Sequence, residues 1–231
     1  MKTLYSLLII FYFGLSSDLF AQTSPKILSA DVWTEDMEER YELLKNEHRD
    51  LFFKTDSSIF EGEFQRIKSK IPHWPDHKII AKFARLAAQT NDGHTRLTIP
   101  LQEGIGLSQA HTKTPMPSND QLVFRHLPMD FYWFEDGMYV LTAIPSLQKH
   151  IGKKLLKINE TPIEKALVAV KGLCDFDNEY GYRLIAPSRL SMLGILMALD
   201  IVGENEAVLL QLESEKWQSL ESRLVQRMKG E

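Results

Sequence analysis

The residues best suited to chemistry lie in the run Asn91-Asp92-Gly93-His94-Thr95, followed at once by the strand-like Arg96-Leu97-Thr98-Ile99. An imidazole titrates near neutral pH, so a histidine fixed at a helix-to-strand corner can take a proton from a nucleophile and return it to a leaving group. Asp92 and Thr95 are near enough in sequence to orient His94 by hydrogen bonding, with Asp92 the weak orienting candidate. The same run reads equally as a helix stop, because Asn and Gly readily adopt the conformation that closes a last turn.

A general base needs a nucleophile or a metal beside it, and the other candidates are poor. Gly106-Leu107-Ser108-Gln109-Ala110, with His111 next to it, imitates a nucleophile elbow. That chemistry requires a sharp strand-to-helix turn, and this segment has no strong strand before it and prolines after it. His73 and His77 stand four apart, the spacing of zinc ligands on a helix, but Pro75 lies between them and no acidic motif completes a site. Cys174 reads as a half-buried small apolar residue, with no base or cation legible around it. No metal and no cofactor are expected.

The elements that must position these residues begin with three amphipathic helices. Trp33, Met37, Tyr41 and Leu44 recur at three and four residues, with Thr34 as the expected N-cap. A second stripe carries Phe60, Phe64, Ile67 and Ile71, capped by Ser57 or Ser58 and stopped by Pro72. A third starts at Asp76 and runs through Ile79, Ile80, Phe83, Leu86 and Ala87 to the Asn91-Asp92-Gly93 stop. Residues 101–121 carry glycine and proline clusters without apolar periodicity and read as a long loop.

The signal then changes to β. Leu122 to Phe134 and Met138 to Ile144 flank Glu135-Asp136-Gly137, a hairpin turn with glycine where a positive φ is needed. Lys153 to Ile158 is a third strand. Thr161-Pro162 reads as an N-cap with proline at the first helical position, leading into Ile163, Ala166, Leu167 and Val170. Helices are expected over 179–186 and 188–200, then a strand over 207–212. The tail 214–231 is charged and reads as helical, with a narrow stripe of Trp217, Leu220, Leu224 and Met228. The aromatic run Phe131 to Phe134 reads as core packing rather than a ligand platform.

Composition supports an α+β globular protein of 231 residues with 44% hydrophobic and 25% charged residues and a formal net charge of −4. Basic residues interleaved with aromatics on one face are not evident, so nothing points to nucleic acid. Residues 1–21 read as an export signal: Lys2 at the start, an apolar run from Leu4 to Leu15, and small-residue cleavage after Ala21. That run is too short and too early for stable membrane insertion. A periplasmic or secreted protein is the expectation, and a single cysteine leaves the fold to rest on its core.

The order of elements resembles the amino-terminal half of the tail-specific, tricorn-core-like serine peptidases, the C-terminal-processing clan. The resemblance rests on the helical entry near Trp33, on Asn91-Asp92-Gly93-His94-Thr95, on Phe131-Tyr132-Trp133-Phe134-Glu135-Asp136-Gly137-Met138-Tyr139-Val140, and on Gly152-Lys153-Lys154-Leu155-Leu156-Lys157-Ile158-Asn159-Glu160-Thr161-Pro162-Ile163. The last run is similar to the strand, turn and helix of a PDZ-like module, which usually carries glycine where Glu160 stands.

The resemblance implies a helical cap over 22–100, the loop, a PDZ-like module over 122–213 and the tail, with the catalytic α/β domain absent from this chain. It also implies serine-type peptide-bond hydrolysis, with His94 as general base and the nucleophile in a separate catalytic domain. A chain truncated before its nucleophile would be inactive alone. The implied partner is a peptide or unfolded protein substrate, and the alternative is a non-catalytic peptide-binding or docking module that accepts an added strand.

Overall fold

The computed structural model describes residues 6–11, 28–93, 95, 97, 99, 124, 126–203 and 207–216, the first six and the last three of these as backbone alone. It is an α+β fold of helices on an antiparallel sheet.

Three helices form the entry: α1 (Ala30–Glu47), α2 (Ser57–Lys70) and α3 (Asp76–Ala88). Their apolar stripes are those of the sequence, with Trp33, Met37 and Tyr41 buried from α1 and Phe60, Phe64 and Ile67 from α2. Tyr41 stacks on Phe64 with ring centroids 3.9 Å apart, joining the two stripes. The Trp33 indole Nε1 donates to Asp76 Oδ1 at 2.6 Å, which ties the start of α1 to the start of α3. Each of these large side chains contributes about 1.5–3 kcal/mol by leaving water.

Two caps differ from expectation. Thr34 is not the N-cap of α1: Ser29 is, its side chain accepting from the Val32 amide, while the Thr34 hydroxyl donates to Ala30 O inside the first turn. At α2 the cap is Asp56 rather than Ser57 or Ser58, its carboxylate accepting from the amides of Ser58 and Ile59. In both cases an oxygen one or more residues earlier reaches the unpaired amides first.

The sheet has the order β1-β6-β4-β3-β2, with β5 off this path and paired to β4. Its strands are β1 (Ser6–Phe11), β2 (Met129–Phe134), β3 (Gly137–Ala143), β4 (Lys153–Ile158), β5 (Thr161–Pro162) and β6 (Val208–Lys216). The β2–β3 hairpin turns at Glu135-Asp136 and closes on Gly137 at φ +148°, where a Cβ would lie 2.2 Å from the Lys154 side chain. Among the described residues β2 starts later than its apolar run: Pro128 has no amide to give a ladder, and Phe124 and His126 lie in isolated bridge positions before it.

Thr161 and Pro162 do not form a hydroxyl cap and first helical turn. They pair with Ile158 and Lys157 as β5, because Asn159 takes φ +48° and folds the chain back within two residues. Helix α4 (Ile163–Lys171) starts one residue later without a side-chain cap. Helix α5 (Glu179–Leu190) runs through Pro187 instead of stopping before it; Pro187 is buried, and its carbonyl accepts from the Ser191 amide and hydroxyl, so the break falls at Ser191. Helix α6 (Leu193–Ala198) is correspondingly short.

Residues 214–216 are strand, not helical tail, because β6 continues along β4 until Lys216 faces Lys153. The loop 101–121 and the rest of the tail lie outside the described residues. One buried cluster runs from Trp33 through the aromatic hairpin to Leu212, so the helical entry and the sheet share a core. Phe131 is buried in it, Phe134 is buried against Tyr139 with ring centroids 5.6 Å apart, and Trp133 packs edge-on against Tyr182 at 5.3 Å. No helix among the described residues is long and apolar enough to cross a membrane.

Candidate functional site

The corner after α3 is built by residues drawn from three parts of the chain. Gln89 ends the helix, and Asn91 takes φ +50° to turn the backbone. Lys54, from the α1–α2 connection, donates to Asn91 O at 2.7 Å, and the Thr55 hydroxyl donates to Gln89 O. From the α4–α5 connection, Asp177 accepts the Gly93 amide on Oδ1 at 3.1 Å and lies 3.8 Å from Lys54 Nζ. A Cβ on residue 93 would stand 2.5 Å from Asp177 Oδ2, so glycine is what lets this carboxylate approach.

Asp92 turns inward from this corner. Its Oδ2 accepts the Thr95 hydroxyl at 2.7 Å and lies 3.3 Å from His48 Nε2. The Asp50 amide donates to His48 Nδ1 at 3.1 Å, so Nδ1 is an acceptor and the ring proton resides on Nε2, facing Asp92. Both nitrogens of His48 are therefore engaged, and the ring holds Asp92 in place. Asp92 and Thr95, expected to orient His94, are bonded to each other here. His94 lies outside the described residues, as do Ser108 and His111.

A second histidine and carboxylate meet in the interior. His126 Nε2 lies 3.2 Å from Asp130 Oδ1, with side chains 3% and 9% exposed, and His126 Nδ1 is 2.8 Å from Leu127 O. The Thr142 hydroxyl donates to Asp130 Oδ2 at 2.7 Å. Burial pushes the Asp130 carboxyl above the usual range, outweighing the Thr142 hydrogen bond and the charge of His126, which act the other way. This cluster was not foreseen, because His126 and Asp130, although four apart, lie either side of Pro128 within a stretch read as strand.

Cys174 is buried, its thiol donating to Val170 O, and burial pushes its pKa up to about 12 despite Arg189 nearby. It is no thiolate at neutral pH. His73 and His77 line one cavity beside α3. Among the described residues no group of three or more His, Cys, Asp or Glu side chains converges as a metal site.

No family model matches the sequence, and no curated protein matches it. Two solved structures of CPAF, a chlamydial serine protease, align with it. One is of a CPAF mutant, at 14% identity and a TM-score of 0.46, covering 72% of this chain and 29% of that one. The other is mature CPAF complexed with lactacystin, again at 14% and 0.46, covering 73% of this chain and 30% of that one. The chain thus spans less than a third of either, and a likeness of this degree carries no functional inference.

Proposed function

We propose that this protein handles polypeptide in extended form, as the cap and PDZ-like portion of a serine-peptidase-type system, and that the outer edge of β6 is where the polypeptide lies. The observation that carries this reading is the β1–β6 ladder. Ser6–Phe11 lies antiparallel along β6, with Leu7 opposite Leu212, Ile9 opposite Leu210 and Phe11 opposite Val208. Val208, Leu210 and Leu212 are buried, so the edge selects a segment with apolar residues at alternate positions.

The occupant belongs to the stretch that reads as an export leader. Removal of that leader outside the cytoplasm would leave the β6 edge unpaired, and an edge with unpaired amides and carbonyls takes up a strand in trans. Peptide-bond hydrolysis, in this reading, takes place in a separate catalytic domain that supplies the serine, with His94 as its base and Asp92 held by His48 and Thr95 at the same corner.

The test compares the full chain with one beginning at Gln22. The probe is a fluorescent peptide carrying the Ser6–Phe11 sequence between lysines. Saturable binding to the shorter chain and none to the full chain is expected, since the full chain fills its own edge. A folded shorter chain that leaves the peptide free would overturn the reading.

A further inference from the structure

A strand laid along β6 meets two different rows of side chains. On the core face Val208, Leu210 and Leu212 are buried and stand opposite Phe11, Ile9 and Leu7. On the other face Leu209, Gln211 and Glu213 are half-buried and stand opposite Ile10, Leu8 and Ser6. Along β6 this second row changes from aliphatic to amide to carboxylate. The pairing is antiparallel, so the N-terminal end of the seated segment lies beside Glu213 and its C-terminal end beside Leu209.

The interior side of the sheet leaves the Glu213 carboxylate without a counter-ion. On β4, Lys157 stands opposite Gln211 rather than Glu213, and a register shift between Lys153 and Leu155 interrupts the pairing beside it. Among the described residues Glu213 forms no ion pair. Residues directly opposite each other on antiparallel strands hold their Cβ atoms about 5 Å apart, so a cation on the seated segment at the position of Ser6 reaches this carboxylate.

The apolar row cannot by itself set the register. A slip of two residues returns every apolar side chain to the core face, whereas the charge opposite Glu213 is met in one register alone. Resting on the reading of the β6 edge as a polypeptide site, we propose that Glu213 determines its specificity. The segment it takes is extended and starts with Lys or Arg opposite Glu213, followed by apolar residues at alternate positions facing Leu212, Leu210 and Val208. The chain's own strand carries the neutral Ser6 at that position, so a segment with a basic residue there is the better occupant.

The test uses the full chain and follows amide hydrogen exchange along β6 by NMR. Ser6→Lys should slow exchange of the amides that β1 covers by about two- to fivefold, as expected for an opposite-charge cross-strand pair, and Ser6→Glu should speed it. In Glu213→Gln the effect of Ser6→Lys should disappear. In Glu213→Lys the order of the two Ser6 variants should reverse, which a general effect of charge near the N-terminus would not produce. Ser6 variants that exchange alike, or an order unchanged in Glu213→Lys, would overturn the role of Glu213 and leave the edge as a polypeptide site. Free exchange of these amides in the unaltered folded chain would mean that β1 does not occupy the edge, overturning that reading and this one together.

Discussion

The Gly93 amide donates to Asp177 Oδ1 at 3.1 Å across 84 residues, so the corner that follows the third helix is held by a residue of the α4–α5 connection. This bond depends on the missing Cβ, and it gives a sign-sensitive prediction. Asp177→Ala should cost about 0.5–1.5 kcal/mol, near the low end because the side chain is half exposed. Gly93→Ala alone should be destabilising, because the new methyl displaces the carboxylate. In the Asp177→Ala background it should be neutral or stabilising, since the clash is gone and the unfolded chain is less flexible. Urea denaturation of the four proteins reads the cycle, and additive effects would show that Gly93 and Asp177 do not interact as described.

Much of the fold was legible from periodicity. Phe60, Phe64 and Ile67 or Ile79, Ile80 and Phe83 fall on one helical face whatever the tertiary context, and their burial follows. Caps and breaks were less legible, because they depend on which of several neighbouring oxygens reaches the free amides. Ser29 outran Thr34, and Asp56 outran Ser57 and Ser58. Pro187 stays inside α5 because its buried ring is accommodated there and its carbonyl caps Ser191, neither of which local sequence reveals. At the candidate corner, Asp92 and Thr95 were legible as polar neighbours of His94, but not their hydrogen bond to each other. The contributions of His48, Lys54 and Asp177 were not, because they arrive from 37 to 84 residues away.

Neither of two buried groups that resemble nucleophiles should react in the native chain. Ser191 is fully buried with its hydroxyl donating to Pro187 O at 3.0 Å, and the Cys174 thiol is buried with its pKa raised to about 12. A fluorophosphonate should leave Ser191 unlabelled, and iodoacetamide should modify Cys174 only as the protein unfolds. Peptide mapping after treatment reads both. Rapid native alkylation at Cys174 would show that its pocket opens to solvent.

Asp130 should give stability a pH dependence of its own. Its folded pKa is raised by burial, so at intermediate pH the native state binds the proton that the unfolded state has lost. Its contribution is therefore full below the unfolded carboxyl range and declines as pH rises through the folded value. Lowered carboxyls such as Glu61 and Glu63 act in the opposite direction, so the comparison must be with a variant. In Asp130→Asn this declining component should vanish while an oxygen remains for the Thr142 hydroxyl. The observable is the difference between the two proteins' unfolding free energies across pH 3 to 8, roughly the span of shifted carboxyls. A difference that stays flat would contradict the raised pKa.

Gly194 meets a rigid neighbour rather than a mobile one. A Cβ there would lie 2.7 Å from the Phe124 ring, whose residue is only 6% exposed and cannot swing into water. Alanine is favoured over glycine in a helix by about 1 kcal/mol, whereas overpacking a core typically costs about 1–3 kcal/mol and exceeds it when three ring atoms are in the way. Gly194→Ala should therefore lower the urea midpoint, and Phe124→Leu added to it should recover part of the loss by making room. This pair also tests whether Phe124 is seated against α6 beside the short bridge of His126 with Met192. An unchanged midpoint in Gly194→Ala would mean that the ring lies elsewhere.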